Sequence, residues 1–264
     1  MAERLVALDL DGTTVTHDGR LSPAVGEAVR AVVDAGLHVV IATGRSVIAT
    51  MPVIEELGLS RGYAVCSNGA VTLALDPSEE AGYRFLDVVT FDPAPALAML
   101  RERIPDAVVA VEELGSGFKL SAPFPDGELQ GVLRVVEWEE LVSSPATRVT
   151  LRSPEATAED FMRLVAEAGL HEVSYAVGWT AWLDISPQGV SKGSALEQVR
   201  RHLGVEPAHT IAVGDQRNDI EMLQWAAHGV AMGNAPDEVK EIADEVAGDV
   251  YDDGLVPVLR SLID

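Results

Sequence analysis

Asp9 and Asp11 stand one residue apart, directly after the apolar run Leu5-Val6-Ala7-Leu8 and ahead of Gly12-Thr13-Thr14. An apolar run of this length, stopped by a turn signal, reads as a buried strand. Side chains two apart on a strand point the same way, so the two carboxylates would share a face. Carboxylates that close repel, and they need a cation or a shared proton. The pair therefore suits cation or proton chemistry. The competing reading is that both residues only cap the turn, as Asp and Gly often do. Four further polar clusters accompany the pair: Thr43-Gly44-Arg45, Asn68-Gly69-Ala70, Lys192-Gly193 and Gly214-Asp215-Gln216-Arg217-Asn218-Asp219.

The elements that must position these residues alternate. Ser22-Pro23 opens a helix, Ser as N-cap and Pro in the first turn, that runs to about Ala35 and stops at Gly36. Residues 37–42 read as a second buried strand, within which His38 is a packed residue rather than a ligand. A helix from Ser46 to about Leu57 and a third strand over 63–66 follow. Strand and helix in alternation imply a parallel sheet covered on both faces. In such sheets ligands bind beyond the carboxyl ends of the strands, where the polar clusters fall.

From about Gly82 the pattern changes. Strands are expected near 84–91, 107–112, 117–122, 147–152, 173–177 and 180–185, and helices near 93–103, 137–142 and 155–168. This reads as an α+β unit with its sheet covered on one side. Alternation then resumes, with a helix over 193–203, a strand over 209–213, a helix over 219–225, a strand over 229–232 and a final helix over 254–262. The expected architecture is α/β: a doubly wound, Rossmann-like core over 1–81 and 186–264, interrupted by an inserted α+β cap over 82–185.

Composition narrows the function. The net charge of −23 over 264 residues would repel a phosphate backbone, which excludes a nucleic-acid partner. No leader pattern and no membrane-length apolar run stand out, so the expected location is the cytoplasm, with no membrane partner. Cys66 is the sole cysteine and lies in an apolar run, where it acts as a small buried hydrophobe.

Five motifs in this order, with the long gap before Lys192, resemble the haloacid dehalogenase superfamily of phosphohydrolases. The chain is most similar to the Cof-like phosphatases, which carry an α+β cap after the third core strand. The cap exit, Leu183-Asp184-Ile185-Ser186-Pro187-Gln188-Gly189-Val190-Ser191-Lys192-Gly193, shares that resemblance. It implies Asp9 as nucleophile and Asp11 as general acid and base. It implies Mg²⁺ held by Asp9, the backbone carbonyl of Asp11 and Asp215, with Asp219 reaching it through water. For Asp215 and Asp219 the alternative is helix capping, which Asn218 beside Asp219 makes redundant. Thr43 and the Gly44 amide would hold phosphate, and Lys192 would neutralise it. Read alone, Lys192 is a surface lysine, and only its context reverses that. Asn68 and Gly69 would shape the substrate pocket, Asn218 would orient the site, and Asn234 would brace the metal loop. Arg45 stands equally as a substrate contact or a fold residue. Arg217 reads as solvent-facing. Trp179 and Trp182, an odd number apart, would face opposite sides of one strand, with core packing as their main role.

The resemblance implies a Mg²⁺-dependent phosphatase acting on small phosphorylated metabolites, either sugar phosphates or phosphorylated cofactors. A phosphotransferase or phosphomutase on the same core is the rival enzyme. A non-catalytic phosphometabolite binder is the rival of another class, and it would have no need of a nucleophile.

Overall fold

The computed structural model describes residues 3–153, 173–177 and 182–263. The chain forms two compact units: Met1–Gly44 with Thr50–Asp87 and Ser191–Asp264, and Arg45–Ala49 with Val88–Val190. Among the described residues no helix is long and apolar enough to cross a membrane.

Strands are numbered in chain order. The first unit holds β1 (Leu5–Leu8), β2 (His38–Ala42), β3 (Gly62–Cys66), β4 (Val71–Leu75) and β5 (Tyr83–Val88). The second contributes β6 (Val108–Glu113), β7 (Gly117–Leu120), β8 (Val132–Val135), β9 (Val149–Arg152), β10 (Val173–Val177) and β11 (Trp182–Pro187). The first unit then resumes with β12 (Thr210–Gly214), β13 (His228–Ala231) and β14 (Glu245–Val246).

The first unit's sheet runs β14-β13-β12-β1-β2-β3-β4-β5. β1 is central, and all four of its side chains are fully buried, as a strand covered on both faces requires. It pairs in parallel with β12 on one side and β2 on the other, Leu8 facing Val213 and Ile41. The sheet departs from the all-parallel expectation at β4, which runs antiparallel to β3. Val71-Thr72-Leu73-Ala74-Leu75 shows no alternation because every one of its side chains is buried, so period alone does not reveal a strand there.

Ser22 caps the helix Pro23–Asp34, its Oγ accepting from the Ala24 amide at 3.3 Å. The helix Lys192–Leu203 begins with a reciprocal cap between Ser191 and Ser194 and carries Arg200, Arg201 and His202 in its last turn, where cations suit the dipole. It packs Ala195, Leu196 and Val199 against Leu5, Ala7, Val40 and Val65.

The second unit's sheet runs β10-β11-β9-β6-β7-β8, antiparallel except for the β7–β8 pair. Leu97 and Leu100 of the helix Ala94–Arg103, with Leu141 of Trp138–Leu141, cover Val109, Val111, Val149, Leu151, Leu183 and Ile185 on one face. The opposite face carries a smaller cluster in which Trp182 meets Phe124 edge-on at 6.1 Å. Trp182 therefore packs within this unit, as expected of one of the pair. Trp179 and the helix expected over 155–168 lie outside the described residues. β8 has no counterpart among the sequence expectations, because its side chains are exposed rather than alternating.

After β3, Ser67, Asn68 and Gly69 all take positive φ, so the chain reverses within three residues into β4. A Cβ on Gly69, at φ +102°, would overlap the Ser191 carbonyl oxygen. Gly69→Ala is therefore expected to destabilise the fold by roughly 2–4 kcal/mol, combining backbone strain with the clash. Urea unfolding checks this; a midpoint equal to wild type would show that the Ser191 backbone yields freely.

Candidate active site

The carboxyl ends of β1, β2, β3 and β12 lie side by side, and the polar clusters of the sequence leave from them in turn. Asp9 follows β1, its amide donating to the Val213 carbonyl of β12 at 3.0 Å. Asp215 follows β12. Asp219 closes the next turn, with Asp9, Asp215 and Asp219 all buried. One carboxylate oxygen from each of the three lies within 4.8 Å of the others.

Lys192 binds this cluster together. Its side chain is fully buried, and its Nζ donates to Asp9 Oδ1 and to Asp219 Oδ1, each at 2.6 Å. It is not a surface lysine. The second oxygen of Asp219 accepts from the amides of Asp215 at 2.9 Å and Gln216 at 2.8 Å, which fixes the loop that presents Asp215. Asp215 in turn accepts from Thr13 Oγ1 at 3.2 Å, Gln216 Nε2 at 3.0 Å and Asn234 Nδ2 at 3.1 Å. Asn234 also donates to the Gly12 carbonyl at 2.8 Å and accepts from the Val250 amide at 2.9 Å, so it ties the two loops together. Thr14 Oγ1 donates to the Asp9 carbonyl at 2.5 Å.

The remaining predicted residues occupy a neighbouring shelf. Thr43 is buried at the end of β2, its amide donating to Val65 and its carbonyl accepting from Asn68 at 3.1 Å. Asn68 Oδ1 accepts from Asn218 Nδ2 at 2.9 Å and lies against Gly44, where a Cβ would come within 3.0 Å of it. Asp11 is half-buried and near enough to Asp9 for its charge to act there. Gly69 approaches the Ser191 backbone. Arg45 instead falls in the short segment that clusters with the second unit, its guanidinium donating to the Ala49 carbonyl at 3.3 Å. Arg217 is partly buried and pairs with Glu238 at 2.5 Å, which corrects its reading as a solvent-facing side chain. Thr13, Thr14 and Gln216 carry hydrogen bonds that sequence reasoning did not assign. The doubled threonine after Asp-Gly was the available signal for the first two.

The charges do not balance. Burial first, then the Asp219 charge, push the Asp9 carboxyl up to about 7 against the opposing pull of Lys192. Burial, then Asp9 and Asp219, push Asp215 up to about 9. Burial alone would lower the Lys192 ammonium, but Asp219 and Asp9 outweigh it and hold it above its ordinary value. Three carboxylates against one ammonium leave two negative charges in a dry site. Hard oxygen donors with that deficit fit a divalent cation.

The chain has well-covered relatives. A pyridoxal phosphate phosphatase of Escherichia coli (strain K12) is 31% identical across 99% of this chain and 99% of its own. An HMP-PP phosphatase of Serratia proteamaculans (strain 568) is 28% identical across 90% of this chain and 87% of its own. The solved structure of a haloacid dehalogenase-like hydrolase from B. subtilis superposes with a TM-score of 0.83 at 24% identity, covering 98% of this chain and 99% of that one. Doubly wound fold, acidic site and relatives together define a phosphatase, an enzyme that hydrolyses phosphoric monoesters. The chain belongs to the haloacid dehalogenase-like hydrolase family, whose sequence model matches residues 6–86 and 131–259.

The raised carboxyls fix how stability follows pH. Unfolded, an aspartate titrates near 3.8; folded and metal-free, Asp9 holds its proton to about 7 and Asp215 to about 9. Between those values the folded state binds more protons, so stability falls as pH rises. The metal-free protein is expected to lose Tm from about pH 5 to about pH 9, and excess Mg²⁺ to restore it most at the alkaline end. The slope should shrink in Asp215→Asn. Thermal unfolding across that range decides it; a metal-free Tm that rises with pH would mean that the carboxylates are compensated by other groups.

Proposed function

We propose that this phosphatase is Mg²⁺-dependent and hydrolyses small phosphomonoesters through an aspartyl-phosphate on Asp9. The observation that carries the reading is the buried Lys192 ammonium, 2.6 Å from both Asp9 and Asp219 inside a cluster of three buried carboxylates. Asp9, the Asp11 carbonyl and Asp215 would hold the ion. Asp219, with both oxygens already accepting hydrogen bonds, suits an outer position that orients the loop and Lys192. When bound, Mg²⁺ would supply positive charge for the phosphoryl oxygens.

The chain's own residues then divide the work. An Asp9 carboxylate oxygen forms a bond to phosphorus as the bond to the leaving alcohol breaks. Asp11 gives its proton to that alcohol, then takes one from the water that cleaves the aspartyl-phosphate. Lys192 neutralises charge on Asp9 and the phosphoryl group. The Thr43 hydroxyl and the Gly44 amide hold phosphate oxygens, and Asn68 and Asn218 brace that shelf. Substrate choice is assigned to the inserted unit, because the chemistry uses none of its residues. The relatives named for pyridoxal phosphate, HMP-PP and phosphoglycolate support a small phosphorylated metabolite as the substrate class.

Asp9→Asn is expected to lower kcat for p-nitrophenyl phosphate roughly a thousandfold or more while the fold persists. Turnover near wild type would remove Asp9 from the nucleophile role. Chelation with EDTA should abolish activity and added Mg²⁺ should restore it; full activity in excess chelator would rule out the metal requirement.

The two neighbouring aspartates should behave differently. Asp215→Ala is expected to raise the Mg²⁺ concentration for half-maximal activity at least tenfold, with a smaller loss of stability than Asp219→Ala, because the donors it strands are side chains rather than backbone amides and a buried ammonium. Asp219→Ala strips the partners from two amides and from Lys192, and should cost roughly 2–4 kcal/mol of stability. Mg²⁺ titration and urea unfolding of both variants test this, and the opposite pattern would exchange the two roles.

A further inference from the structure

Each carboxylate of the buried cluster already accepts from donors of the chain itself. An ionised carboxylate has two oxygens and about four lone-pair positions. On Asp219 both oxygens are engaged: Oδ1 accepts from Lys192 Nζ at 2.6 Å, and Oδ2 from the amides of Asp215 at 2.9 Å and Gln216 at 2.8 Å. On Asp9, Oδ1 lies 2.6 Å from the Lys192 ammonium, and like charge keeps a second cation away from it.

Asp215 is the most asymmetric of the three. Its Oδ1 accepts one side-chain bond, from Thr13 Oγ1 at 3.2 Å. Its Oδ2 accepts two, from Gln216 Nε2 at 3.0 Å and Asn234 Nδ2 at 3.1 Å. The same oxygen lies against the Gly12 backbone, so closely that a Cβ on Gly12 would stand 2.3 Å from it. Oδ2 is therefore filled and walled in, while Oδ1 keeps a lone pair for a cation.

A site of this kind offers single oxygens rather than carboxylates gripping through both. Mg²⁺ is served by that: it takes about six ligands, keeps several waters and needs only one or two carboxylates. Ca²⁺ takes about six to eight oxygens and often holds a carboxylate through both of them. We propose, resting on the Mg²⁺ site inferred for this cluster, that Gln216 makes it selective for Mg²⁺ over Ca²⁺. Its amide occupies the Asp215 oxygen that the larger ion would use as a further ligand. Gln216 acts through Asp215 and is a positioning residue. Asn234 shares the task, but it also bonds Gly12 and Val250 and so holds two loops together. Gln216 is half-buried, and its other side-chain tie is local, a reciprocal cap with Asp219.

Calorimetric titration of the metal-free full chain with magnesium chloride and with calcium chloride tests the proposal, and the Tm shift that each ion produces gives a second reading. Neither depends on turnover. Gln216→Met keeps the side chain's length and deletes the donor. It is expected to weaken Mg²⁺ binding about tenfold, as loss of an orienting partner does. Ca²⁺ should hold its affinity or gain, because Oδ2 becomes available to it, so the preference moves about tenfold or more toward Ca²⁺. Gln216→Glu keeps the acceptor of the turn cap and replaces the donor with an anionic oxygen. It should move the preference the same way, and it decides the matter if Gln216→Met does not fold. A loop that was merely loosened would weaken both ions alike. An unchanged ratio of the two affinities in the folded variants, or a shift toward Mg²⁺, would overturn the proposal and leave the Mg²⁺ site standing. A wild type that binds neither ion would overturn the Mg²⁺ site itself, and the selectivity with it.

Discussion

A lysine ammonium buried without water must be paired, and the first unit is built around meeting that requirement. Lys192 has two partners, Asp9 and Asp219, which lie 183 and 27 residues away in the chain. Removing one partner of a buried pair leaves the other charged and dry, at a cost of about 3–5 kcal/mol. The helix start, the first strand and the loop after β12 are therefore bound to one another electrostatically. The same constraint leaves the site short of positive charge. Asp9 and Asp215 then hold protons that ordinary carboxyls would have released, or accept a cation in their place.

Placement of that cluster follows from strand order. β12 lies beside β1, so Val213 faces Leu8 and the next residues on each strand, Asp9 and Gly214, reach the same edge of the sheet. The loop after β12 then needs its own anchor, and Asp219 supplies it by accepting from two successive amides. Asn234 links that loop to Gly12, while Asn68 and Asn218 link the β3 turn to it. Each tie is polar and buried or partly buried, where a missing partner costs most.

The second unit obeys a different rule. Its sheet has one face packed by helices through Val109, Val111, Val149 and Leu151, and among the described residues β8 is the last strand on one side. Short apolar stretches of strand length made β6, β7, β9 and β11 legible in the sequence. β8 was not legible, because Val132, Leu133 and Val135 are exposed and have no inward face to set a period. β4 was missed for the opposite reason, since both of its faces are buried.

Local chemistry alone determined much of this protein. Asp-x-Asp at the end of an apolar run, Ser-Pro and Lys-Gly at helix starts, and the order of five polar motifs were sufficient for the α/β class, the family resemblance and the short set of residues where chemistry would occur. Those signals are legible because strand burial, turns and caps are decided by neighbours within a few residues. The tertiary structure decided what depends on distant partners. It made Lys192 a buried clamp rather than a surface lysine, and Arg217 the partner of Glu238 rather than a solvated side chain. It brought Thr13, Gln216 and Asn234 onto Asp215, and it grouped the segment Arg45–Ala49 with the second unit. Burial and charge pairing are properties of three-dimensional neighbours, and no local pattern in the chain encodes which carboxylate a given ammonium will meet.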